Sequence, residues 1–211
     1  MAIEFTPHDE MLLLKERAEA RFGSDPHHHL ARARFLLSVD TGLMPVSALF
    51  YASLEYRFCI ERFLFSILSL VSGEDAVTRA HEKMYTGSDL SNAIRRIEPE
   101  LMDKLRYVDL VLRAHDRAQV TAKPDLDRLS RLHGRLGGYL HAQKRPPETT
   151  WSPDWLAEFK EILQECDKYL GEVLAIDKVL AGMPNGDLGY DKWKSGAISD
   201  EEVVAAIRKR R

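Results

Sequence analysis

The stretch ALFYASLEYRFCIERFLFSILSLV, residues 48–71, constrains the fold more than any other part of the chain. Its apolar residues recur at spacings of three and four and cover most of a helix's circumference, so the helix must be surrounded. Four charges, Glu55, Arg57, Glu61 and Arg62, interrupt it. That excludes a simple membrane span, because charges at the centre of a bilayer are costly. A buried central helix therefore needs other helices packed around it. The 211 residues suffice for one domain with a substantial core.

The rest of the chain supplies those helices. Thr6-Pro7, Asp25-Pro26 and Ser152-Pro153 each set a capping oxygen before a proline at a first helical position. Helical spacing then predicts helices over 7–22, 26–39, 46–72, 74–85, 88–98, 99–117, 124–142, 153–182 and 199–210. Pro99 separates the fifth from the sixth, since proline disfavours helix in the residue before it. No run alternates with period two for long enough to read as a strand. The expected class is all-α: a helical bundle with two long central helices and shorter satellites. Residues 1–182 form the expected helical domain, with its core over about 25–180. In the appendage, 183–211, a segment rich in glycine and turn residues precedes a short helix ending RKRR. The basic end suits a helix C-terminus, where the dipole favours cations; contact with nucleic acid is the other reading.

The net charge of −3 gives no general attraction to nucleic acid, so any such site has to be a local patch. Two cysteines, Cys59 and Cys166, lie far apart without metal-ligand spacing. They suit a reducing cytoplasm and argue against a disulfide framework or a structural zinc. The acidic start, MAIEFTPHDE, is not a secretory signal. His27, His28 and His29 follow Asp25-Pro26 in a first helical turn, and consecutive helical residues point about 100° apart, so the three do not face one metal. Trp151, Trp155, Tyr169 and Trp193 read as core or anchor aromatics. There is no GxxxxGK[ST], GxGxxG or GxSxG motif to support nucleotide-hydrolase, dinucleotide or α/β-hydrolase chemistry.

Within the central helix, Glu55, Arg62, Ser66 and Ser69 share one stripe, and Arg57 and Glu61 are placed to pair across a turn. Glu55 needs a partner in so apolar a helix. Either Arg62 supplies it, or Glu55 orients a residue of a site.

Glycine crowds the segment RLHGRLGGYLHAQKRPP, 131–147, where a helix would not choose it. On the helix from 124, Leu126, Leu129, Leu132, Leu136 and Leu140 make a core face, with His133 at its edge. Arg128, Arg131 and Arg135 make a basic face. Ser130, Gly134, Gly137, Gly138 and His141 make a small-residue face, to which a helix, a second copy of the chain or a ligand comes close. Residues 128–145 hold five Lys or Arg and no Asp or Glu, a local field able to hold phosphate.

On these features the chain resembles the HEPN superfamily: all-α, an early long helix carrying LEYRFCIERFLF, and a late helix carrying an arginine followed after four to six residues by a histidine. Here the motif is Arg135-Leu-Gly-Gly-Tyr-Leu-His141; Arg128 to His133 is a second fit, with its histidine at the core edge. Leu136 stands where active members commonly carry Asn, Asp or His. The resemblance implies a homodimer and a metal-independent endoribonuclease of a toxin–antitoxin or defence system, without a cofactor. It implies Arg135 and His141 as catalytic residues, with Arg131, Glu55 and Arg128 in support. RNA and an antitoxin or nucleotidyltransferase are the implied partners. The noncatalytic alternative within the same family is an interaction or scaffold module.

Overall fold

The computed structural model describes residues 25–38, 45–72, 86–115, 124–141, 152–174 and 188–209. Among these, every regular element is an α-helix: α1 Pro26–Ser38, α2 Pro45–Ser72, α3 Gly87–Ile97, α4 Leu101–Ala114, α5 Leu126–Leu140, α6 Pro153–Leu174, α7 Leu188–Lys194 and α8 Asp200–Arg208. The protein is an all-α helical bundle, and its two longest helices, α2 and α6, are the two expected at its centre. The helices expected over 7–22 and 74–85 lie outside the described residues, as does Trp151.

The caps act as the sequence suggests. Asp25 Oδ1 accepts the His27 N–H at 2.8 Å, and Ser152 Oγ accepts that of Trp155 at 3.2 Å. Each satisfies a first-turn donor that has no partner within its helix. Helix α2 packs against α1, α3, α5 and α6. Only Tyr51, Ser66 and Leu70 of its residues 46–72 are exposed. Tyr56, Cys59, Ile60, Phe63, Leu64 and Ile67 are fully buried, at the spacings of three, one and three that keep one broad face inward. Against them lie the leucines of α5 and the apolar face of α6, including Trp155, Phe159, Cys166 and Tyr169. Trp155 and Tyr169 are thus core aromatics, as their sequence context suggests.

The described part of the appendage, 188–209, is mostly helical, with two helices where the sequence suggested one. Helix α7 was not expected from the sequence. Tyr190 of α7 and Val203 of α8 close a second, smaller core with Tyr107 and Leu110 of α4, and Trp193 packs against it. Leu101 and Leu105 of the same α4 belong to the main core. Helix α4 therefore serves both cores. Ser199 and Glu202 start α8 with a reciprocal capping box, and Trp193 Nε1 donates to Asp200 at 2.7 Å. No helix among the described residues is long and apolar enough to cross a membrane.

Candidate functional site

Helix α5 carries most of the expected site residues. Asp125 caps it, its Oδ1 accepting the backbone N–H groups of Asp127 and Arg128 at 2.9 and 3.0 Å. Leu126, Leu129, Leu132 and Leu136 face the core. The burial of Leu136, fully enclosed, gives a physical reason for an apolar residue after Arg135: a polar side chain there would enter the core. His141 ends the helix as an exposed cap residue. Its N–H still bonds the Gly137 carbonyl at 3.0 Å, so helical register holds up to it.

The basic face is largely engaged by one carboxylate. Arg128 Nη2 donates to Glu165 Oε1 at 3.2 Å and Arg135 Nη1 to Glu165 Oε2 at 3.1 Å. The Arg128 guanidinium also lies 4.2 Å from the centre of the Tyr169 ring, a cation–π contact. Arg131 is exposed, with no ion pair among the described residues. Beside Arg135 opens a groove of about 330 Å³ lined by Gly138, Tyr139, Trp155, Glu158 and Ile162. Tyr139 stacks flat on Phe159 at 4.4 Å, which ties this wall to the core.

Glu55 belongs elsewhere. In place of the expected Arg62, α1 supplies its partners: His29 Nδ1 lies 2.7 Å from one carboxylate oxygen and Arg32 Nε 3.3 Å from the other. The carboxylate thus links α1 to α2. His29 is buried beside Phe58, whereas His27 and His28 are exposed, so the three histidines diverge. Among the described residues no group of three or more His, Cys, Asp or Glu is arranged to hold a metal ion.

The pair read from sequence as Arg57 and Glu61 exists, with Nη2 3.6 Å from Oε1, but it is not a simple solvated pair. His133 of α5 inserts into it. Its Nε2 lies 2.6 Å from Glu61 Oε1 and 3.4 Å from Arg57 Nε, and its Nδ1 lies 3.4 Å from the Gly87 backbone nitrogen. The Gly87 N–H can only donate, so Nδ1 accepts and Nε2 carries the proton that goes to Glu61. His133 is 5% exposed and both ring nitrogens are occupied. The Arg128-to-His133 fit therefore ends in a buried structural histidine.

The glycines divide by use. A Cβ on Gly87 would meet the His133 Cβ at 3.0 Å, so the start of α3 rests directly on that side chain. A Cβ on Gly137 would stand 3.4 Å from Arg57 Nη1. At Gly134 and Gly138 nothing lies within 4 Å. Ser130 uses its place on this face to bond the Gly87 carbonyl at 3.1 Å and Ser91 Oγ at 2.8 Å. Half of the close approach inferred from small residues is thus to α2 and α3 of the same chain; the other half is open.

On a regular helix Gly137 and His141 are about 40° apart, whereas Arg135 and His141 are about 120° apart. His141 therefore shares its face with Gly137, beneath Arg57, and Arg135 belongs to the α6 side. Arg57 is the residue that sequence reasoning missed. Helical spacing shows its pairing with Glu61 but not which face of which helix lies opposite.

Both cysteines are fully buried, and burial raises their thiol pKa values, that of Cys166 to about 12. Neither is poised as a nucleophile. No family model matches the chain, and neither does any curated protein or solved structure.

Proposed function

We propose that this chain is a HEPN-like endoribonuclease that acts without a metal ion, as a homodimer in which two copies of α5 meet. The observation that supports it best is the exposed imidazole of His141 one turn beyond Gly137, on a face where Gly134 leaves room for a ribose–phosphate backbone. A histidine's ordinary pKa, about 6.5, suits it to take the 2′-hydroxyl proton. The 2′-oxygen then attacks the adjacent phosphorus, the bond to the 5′-oxygen breaks, and that oxygen takes up a proton. An arginine stabilises the charge on the phosphate oxygens. The angular separation of Arg135 from His141 favours pooling across a two-fold axis, Arg135 of one copy serving His141 of the other. Arg131 and Arg128 add positive potential along the same helix. A toxin–antitoxin or defence setting, with an antitoxin or nucleotidyltransferase beside it, is the biological context that goes with this chemistry.

The purified protein is expected to degrade RNA equally with and without EDTA, leaving 2′,3′-cyclic phosphate ends. His141→Ala should abolish cleavage with the helical circular-dichroism spectrum intact. Activity lost to EDTA, or kept by His141→Ala, would sink the mechanism.

One observation favours the second reading, a noncatalytic HEPN-like interaction module: Glu165 already holds both Arg128 and Arg135. Absence of cleavage on any RNA, with dimerisation or partner binding intact, would decide for it.

A further inference from the structure

Arg57 stands out among the cationic groups near α5. Its Nε faces His133 and its Nη2 faces Glu61, while Nη1 lies over Gly137 with no hydrogen-bond acceptor among the described residues. The side chain is 22% exposed, so it is held from below and open above. Glu61 does not saturate it: the carboxylate's short bond goes to His133 at 2.6 Å, and its distance to Nη2 is 3.6 Å, long for a hydrogen bond. A guanidinium already in an ion pair with Glu61 and packed against the His133 ring loses less freedom when a further group binds, and its fork matches two oxygens of a phosphate.

From this geometry we infer that Arg57 forms a phosphodiester-binding site with the Gly137 face of α5, one helical turn from His141. Glu61 and His133 are positioning residues: Glu61 pairs with the guanidinium, the His133 Nε2–H holds the Glu61 carboxylate, and neither touches ligand. Gly137 keeps the approach clear, because any side chain there meets Nη1 first. The site deepens the ribonuclease reading and rests on it for its substrate class, single-stranded RNA. It places a further arginine, from the same chain as His141, on the His141 face, beside the Arg135 that the other copy contributes.

The test uses the full chain and a fluorescein-labelled 2′-O-methyl RNA oligonucleotide, which binds but lacks the hydroxyl that cleavage needs. Fluorescence anisotropy should show binding that weakens about tenfold or more in Arg57→Gln, the scale of one charge-assisted contact. Gly137→Val, which leaves Arg57 in place but crowds Nη1, should weaken it comparably. Arg106→Gln, which removes an equal charge from α4, should bind as wild type does. If Arg57→Gln fails to fold, Gly137→Val decides. Wild-type affinity in Gly137→Val, or in folded Arg57→Gln, overturns the proposal, as does a wild-type protein that binds no oligonucleotide. Binding through Arg57 with no cleavage of unmodified RNA would uphold the site and reject the ribonuclease reading.

Discussion

At the scale of single residues, the structure separates groups that the sequence could only gather. Arg135 read as catalytic with Arg128 and Glu55 in its support, yet both arginines meet Glu165 of α6 and Glu55 meets α1. Leu136 is the residue whose consequence is sharpest. Restoring an amide there, Leu136→Asn, should cost about 3–5 kcal/mol, because it removes a core leucine and buries an unmatched polar group. Urea unfolding would measure it; a loss under about 1 kcal/mol would mean that the position relaxes to solvent. The faces of α5 were legible because period and residue type suffice to sort them. The partner of each charge was not, since spacing along one helix says nothing about what stands opposite. Glu61 illustrates this: its i,i+4 arginine is visible in the sequence, and its shorter bond, to a histidine 72 residues away, is not.

The helices themselves were legible wherever a cap and a long apolar period coincide, as at Asp25 and Ser152. Helix α7 was not, because seven residues give too little period to read among glycines and aspartates. Its order comes from tertiary packing instead, with the Tyr190 and Tyr107 rings edge to face at 5.5 Å. Glycines that look alike in sequence also differ at this scale. Gly87→Ala drives a Cβ into His133 at the seam between α3 and α5 and should cost about 1–3 kcal/mol. Gly134→Ala meets nothing in the chain and should be neutral or stabilising by up to about 1 kcal/mol. Thermal melts of the two variants give the comparison directly; equal midpoints would remove the distinction between a seam glycine and an open one.

For the molecule as a whole, unequal cores imply unequal stability. The main core joins six helices, while the second rests on four buried side chains. Sub-global opening should therefore start at α7 and α8. Hydrogen exchange is expected to show their amides exchanging well before those in the middle of α2 and α6; matched protection would mean that the two cores open as one. Helix α4 carries side chains into both, with Leu105 in one and Tyr107 in the other. A residue inserted or deleted between those positions would turn the far half of the helix by about 100°, swinging Tyr107 and Leu110 off their partners. Substitutions on its outer face carry no such penalty. Over evolutionary drift, then, the length of α4 is the frozen variable and its outward lettering the free one.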